Sequence, residues 1–242
     1  MLASIKRLFA GAPGAADDWP EVQAWARQRQ WSLRIVREPR GFAIDGCSGS
    51  TPWRLEWGPS QRSYIHGGEL RLRADLGVPR ELQSLLINRE LMESMERDVF
   101  DRYVEGVQTR IDTDTPAEMR WLVMYPKLAG HELKALRDSF GALGNSKPWL
   151  QEWLGGDLSA ALASLPRAAA EPLVLIVARR RLSLRTAMAE PTVEALQRGV
   201  QLFDCALNAA RQVAIDFSEA AAASTMPSLF PATAVSAESP PR

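Results

Sequence analysis

Several short stretches of the chain alternate between apolar and polar residues with the two-residue period of a β-strand. The clearest is 53–57, in which two tryptophans and a leucine alternate with an arginine and a glutamate. Such alternation is typical of a sheet with one buried and one solvent-facing side, the usual condition of antiparallel sheets. Together with one continuous apolar run, the pattern predicts six strands, near 33–37, 42–45, 53–57, 69–73, 173–178 and 181–185.

Apolar residues spaced by three and four predict the helices. One helix is predicted over about 19–30, before the first strand, and one long helix or two in succession over about 79–108. A further helix is predicted over 131–143 and a long closing helix over 191–216. The sequence does not decide whether the stretch 119–126 is a helix or a buried strand, because its apolar residues form a continuous run without a distinguishing period.

These elements predict an α+β fold, with an antiparallel sheet of five to six strands and helices packed on one face. The chain has 242 residues, 46% of them hydrophobic, which suffices for one large core. A single domain is expected over 18–216, after a short amphipathic segment and linker at 1–17 and before a disordered Ala/Ser/Pro tail at 217–242. The closing helix has a wide apolar face, which suits packing on its own sheet, so a monomer is expected.

The overall charge of the chain is balanced, with 29 basic and 29 acidic residues. No global field therefore attracts nucleic acid, and no nucleic-acid partner is expected. No apolar run approaches the length of a transmembrane helix, and charges at Lys6 and Arg7 interrupt any signal sequence. A cytoplasmic location is therefore expected, with weak peripheral membrane contact by the basic amphipathic N-terminus as a further hypothesis.

The charge is unevenly distributed between the predicted sheet and one predicted helical region. The net charge is +2 across 31–75 and +4 across 172–188, but −4 across 86–120. If the strands share one sheet, its polar side carries arginines that fit an anionic partner, such as a protein surface. Two other interpretations stay open, a solvated face held by cross-strand Arg–Glu pairs and a face covered by the chain's own acidic helices. The candidate anion-contacting residues are Arg54, Arg71, Arg73, Arg181 and Arg185.

The sequence shows little catalytic chemistry. The two histidines, at 66 and 131, have no partner placed by sequence, and the two cysteines, at 47 and 205, lack disulfide or metal spacing. No phosphate-binding loop is present, so no cofactor is expected. Carboxylates at 112, 114 and 118 are typical of helix capping, with a hard-cation site as the alternative.

Two hypotheses about function follow. The leading one is a non-catalytic binding or interaction protein that presents the arginine-rich sheet face to an anionic partner. The alternative is a hydrolase-like enzyme whose site is assembled from scattered carboxylates or a histidine, because catalytic residues need only meet in space. The candidates for that site are Asp45, Glu56, Glu69 and His66.

Overall fold

The computed structural model describes residues 18–104, 116–165 and 171–224. No helix in these ranges is both long enough and apolar enough to cross a membrane. The helices are α1 (Pro20–Gln28), α2 (Arg89–Val104), α3 (Ala117–Met124), α4 (Gly130–Leu133), α5 (Lys147–Trp153), α6 (Gly156–Ala163) and α7 (Val193–Ser224). The strands are β1 (Ser32–Val36), β2 (Gly41–Ser48), β3 (Thr51–Pro59), β4 (Gly68–Asp75), β5 (Ser84–Asn88), β6 (Phe140–Gly144), β7 (Leu173–Ala178) and β8 (Arg181–Ala187).

All eight of these strands belong to one antiparallel sheet, in the order β1-β2-β3-β4-β8-β7-β5-β6. The first four strands form a meander. The chain then builds β5 and β6 at the far end, and the β7–β8 hairpin fills the space between β4 and β5. The predicted α+β class with an antiparallel sheet is confirmed, but the predicted number of five to six strands is wrong.

The two strands that the sequence pattern missed are β5 and β6. Four of the five residues of β5 and all five of β6 are buried, because helices cover both of their faces. A strand buried on both faces carries a continuous apolar run without alternation, which resembles a buried helix. The helix predicted from residue 79 therefore begins at Arg89, and the helix predicted over 131–143 is replaced by α4, a 3₁₀ turn and β6. Most of the open stretch 119–126 is helical, because α3 continues to Met124.

One face of the sheet is apolar across its whole width and carries the main core. The helix α7 packs on this face through a stripe of fully buried side chains that includes Leu196, Phe203 and Leu207. Gly199 allows close approach of this helix to β4, because a Cβ atom there would lie 2.6 Å from Cδ2 of Leu70. The helix extends to Ser224, eight residues beyond the predicted end at 216.

The opposite face of the sheet is divided into an apolar part and a charged part. On β5, β6 and β7 it carries Leu85, Ile87, Leu143 and Val174, which pack under α2 and α3. Helices therefore lie on both faces, and the prediction that they pack on one face is wrong. On β2, β3, β4 and β8 the same face carries mainly charged residues, and none of the described helices covers them.

The Trp53→Ala substitution tests this assignment of faces. The Trp53 ring is buried on the apolar face and meets Trp31 edge-on with centroids 4.7 Å apart. We expect its loss to lower the free energy of unfolding by about 3–5 kcal/mol. The neighbouring Arg54→Ala, on the other face, should cost less than about 1 kcal/mol. Urea unfolding of both variants measures the difference, and equal costs would contradict the assignment.

Candidate binding face

The pairing of β4 with β8 brings all five predicted arginines to one side of the sheet. In the register, Arg54 lies opposite Arg73 and Arg71 lies opposite Arg185, while Arg181 lies opposite Asp75 on β4. Because side chains alternate along each strand, these positions share a face. We call this surface the charged face. Its members are Arg54, Arg71, Arg73, Arg181, Arg185, Asp45, Glu56, Glu69 and Asp75.

Glu56 is the centre of one group of ion pairs on the charged face. Its Oε1 atom accepts hydrogen bonds from Nε of Arg54 at 2.8 Å and from Nη2 of Arg73 at 3.3 Å. Nε of Arg71 lies 3.6 Å from its Oε2 atom. Partial burial raises the pKa of the Glu56 carboxyl, but the hydrogen bond from Arg54 and the surrounding arginine charges outweigh burial and hold the pKa below its usual value.

Glu69 is the centre of a second group, and its side chain is 0% exposed. Its two oxygens accept hydrogen bonds from Nη1 of Arg71 at 3.2 Å and from Nη1 of Arg185. The backbone N–H of Gln61 donates a third at 2.7 Å. Like charges directly opposite each other on neighbouring strands repel, so the carboxylate between Arg71 and Arg185 compensates a repulsion that the β4–β8 register creates.

A second buried carboxylate, Glu118 of α3, marks the border between the charged face and the helix-covered part. It is 1% exposed and accepts hydrogen bonds from Nε of Arg62 and, at 2.6 Å, from the hydroxyl of Tyr64. Burial raises its pKa, but the Tyr64 hydrogen bond and the Arg62 charge outweigh this and hold it below its usual value. Burial, followed by the Glu118 charge, raises the pKa of Tyr64 far above its usual value, so its hydroxyl stays a donor.

The sequence did not predict the contacts that Glu118 makes at this border. Helix capping was predicted for Glu118, and the structure instead pairs it with residues more than 50 positions earlier in the chain. No local spacing connects them, so only the fold reveals the contact. The other two carboxylates of that sequence cluster, at 112 and 114, lie outside the described residues.

The charged face has an inner part and a solvent-exposed rim. The side chains of Arg71 and Arg185 are almost buried, whereas those of Arg73 and Arg181 are 48% and 49% exposed. Arg181 pairs with exposed Asp75 at 3.1 Å. All five predicted arginines thus have carboxylate partners on the sheet itself, which agrees with the cross-strand pairing interpretation. In the described part of the chain, acidic helices do not cover these arginines, in contrast to the other interpretation that the sequence left open.

The carboxylates proposed for an enzyme site do lie on this face, but they are already paired with arginines. Asp45 accepts a hydrogen bond at 3.0 Å from Nη1 of Arg54, the arginine that also binds Glu56, and Glu69 is inaccessible to solvent. Glu56, whose pKa the surrounding arginines hold below its usual value, exchanges protons poorly near neutral pH. His66 is exposed in the loop between β3 and β4. Among the described residues, no group of three or more potential ligands is arranged to hold a metal ion.

The Glu118→Gln substitution tests how strongly the border carboxylate stabilises the fold. The amide keeps the shape of the side chain but removes the charge that pairs with Arg62. Since hydrogen bonds to charged groups contribute about 1.5–3 kcal/mol, we expect a loss of that size in the free energy of unfolding at neutral pH. Glu152→Gln, at an exposed position of α5, is the matched control and should change it by less than about 0.5 kcal/mol.

Acid titration of the wild type and of Glu118→Gln separates the effect of the Glu118 charge from that of the side-chain shape. The folded pKa of Glu118 lies below its ordinary value of 4.5, so its stabilising contribution is complete above pH 4.5 and is lost as the pH falls through the folded pKa. The free energy of unfolding of the wild type should therefore fall more steeply below pH 4.5 than that of Glu118→Gln. Parallel curves would show that the Glu118 charge does not stabilise the fold.

The comparisons with known proteins leave the family of this chain unassigned. No family model matches the sequence, and searches of curated proteins and of solved structures find no match either.

Proposed function

We propose that this chain is a non-catalytic cytoplasmic binding protein whose charged face docks an acidic segment of a protein partner. The observation that carries the proposal is the ordered arrangement of arginines on a broad part of the sheet that none of the described helices covers. Both cysteines are free thiols, which is usual for proteins of the reducing cytoplasm.

The ion pairs on the charged face support binding because they fix the arginine heads in advance. Long side chains normally lose conformational entropy when a partner immobilises them. Here the hydrogen bonds to Asp45, Glu56 and Glu69 already restrict the guanidinium groups. Each guanidinium has five N–H donors, so donors remain for a partner carboxylate after the internal contacts are made.

The balance of charge favours an acidic partner. The charged face has five arginines and four carboxylates, and exposed Arg34 on β1 extends the same side of the sheet. Arg34 has no ion-pair partner in the described part of the chain. The surface from β1 to β8 is five strands wide, roughly 20 Å at the usual strand spacing. Its breadth suits an extended acidic segment better than a small ligand, which needs a concave site.

Neutralising the rim arginines tests the proposal. The probe is a fluorescein-labelled peptide of alternating Glu and Ser, with a Gln–Ser peptide of equal length as its neutral counterpart. We expect the wild type to bind the acidic peptide with a salt-sensitive affinity, and Arg73→Gln/Arg181→Gln to weaken it about tenfold, because two charge-assisted hydrogen bonds are lost. Fluorescence anisotropy measures both.

The matched control is Arg27→Gln/Arg198→Gln, which removes the same charge from exposed positions on α1 and α7, on the opposite side of the sheet. This control should bind as the wild type does. Equal losses in both double variants would indicate a response to net charge and would contradict docking on the charged face. Equal binding of the acidic and neutral peptides would contradict an acidic partner.

A further inference from the structure

A cavity of about 440 Å³ lies at the β6 edge of the sheet, with β7 and β5 between it and the charged face. Its walls come from the start of α2, from β6, and from the segment that runs alongside β6 through the bridge between Lys127 and Leu143. Cavities that hold small ligands commonly have volumes of this order. The site is independent of the charged face and of the function proposed for it.

The cavity has more positive than negative charge. Arg89, Lys127 and Arg137 line it, together with Asp138. Nζ of Lys127 is 2.7 Å from Oε1 of Glu96, and Nε of Arg137 is 3.5 Å from Oδ2 of Asp138. Two of the three cations are paired in this way. The positive charge of Arg89 has no ion-pair partner in the described chain, which suits a ligand with one negative charge.

Arg89 is held in place before any ligand arrives. Its Nε atom donates a hydrogen bond to the carbonyl of Arg137 at 2.6 Å, and its Nη2 atom donates one to the carbonyl of Phe140 at 3.1 Å. Its Nη1 atom makes no hydrogen bond within the described chain. Because neutral carbonyls hold this guanidinium, its charge is not cancelled, and a ligand that binds it loses little additional side-chain entropy.

The remaining lining of the cavity is apolar. Met92, Leu128 and Ala142 are all buried in the fold and contribute to this lining. Gly141 lets Met92 pack directly against β6, since a Cβ atom there would lie 2.3 Å from the Met92 sulfur. An apolar chain on these residues would be removed from water, which favours binding in proportion to the buried area.

We propose that this cavity binds a small organic carboxylate. The carboxylate group lies at the Arg89 and Arg137 side chains, and a short aliphatic chain covers Met92, Leu128 and Ala142. The single excess positive charge favours a monoanion over phosphate, and the apolar lining favours a ligand with a hydrocarbon part over acetate.

Nuclear magnetic resonance titration of the full-length protein tests the proposal. The probes are hexanoate, hexanamide, acetate and inorganic phosphate, followed through the backbone amides of Gly130, Gly141 and Ala142. We expect saturable shifts with hexanoate, and an affinity for hexanamide about tenfold lower because the charge-assisted hydrogen bonds are lost. Equal affinities for hexanoate and hexanamide, or tighter binding of phosphate or acetate, would overturn the assignment of ligand class.

Two variants test the location of the site. Gly130→Leu fills the cavity, and its Cβ atom would meet only Cβ of Arg137, at 3.9 Å. Gly77→Leu adds the same side chain where no atom lies within 4 Å, and serves as the control. Hexanoate binding should be lost in the first variant and unchanged in the second. Arg137→Gln, at a side chain that is 65% exposed, should weaken hexanoate several-fold without unfolding the protein. Unchanged affinity in Arg137→Gln would overturn the site even if Gly130→Leu does not fold.

Discussion

The buried carboxylate of Glu69 stabilises the pairing of β4 with β8, where the two halves of the sheet meet. We call this pairing the joint. The N-terminal meander β1–β4 and the remaining strands are connected within the sheet through the pairing of β4 with β8. That register sets Arg71 opposite Arg185, an arrangement that by itself opposes pairing. Glu69 accepts a hydrogen bond from each of the two guanidinium groups and from a loop N–H, so two arginines that would oppose the pairing stabilise it through the carboxylate that they share.

The opposite face of the sheet changes from charged to apolar one strand beyond this joint, between β8 and β7. Beyond β8 the face becomes apolar and needs cover, which α2 and α3 provide. On β2, β3, β4 and β8 the face stays charged, and its rim is exposed to solvent. The loop between β3 and β4 spans the border, where Arg62 and Tyr64 reach Glu118 on α3. Buried ion pairs cost desolvation energy, and the arginine partners of the two buried carboxylates, Glu69 and Glu118, offset part of that cost.

The sequence predicts those parts of the fold whose two faces differ. Strands such as β3 alternate Trp53, Arg54 and Leu55 because one side meets the core and the other meets solvent, and this asymmetry is visible in the residue order. The strands β5 and β6 are buried on both sides, so their sequence carries no such signal. The five arginines could be placed on one face by the same period-two rule. Their partners could not, because contacts such as Arg185 with Glu69 join residues 116 positions apart.

The proposed binding function uses a face that also contributes ion pairs to the sheet. Its inner residues, Arg71 and Arg185, complete the fold, whereas the rim residues Arg73 and Arg181 add little to it and reach solvent. A surface divided in this way tolerates changes at the rim without loss of structure, which is what a binding face requires. In the proposed complex, the partner would contact donors whose positions the sheet has already fixed.

A double-mutant cycle on Glu69 and Arg185 tests the central role of the joint most directly. The free energies of unfolding of the wild type, Glu69→Gln, Arg185→Gln and the double variant give the coupling between the two side chains. We expect each single substitution to be destabilising and the double variant to lose less than their sum, by about 1–3 kcal/mol. Additive losses would show that the carboxylate does not compensate the opposed arginines, and would contradict this account of how the sheet is held together.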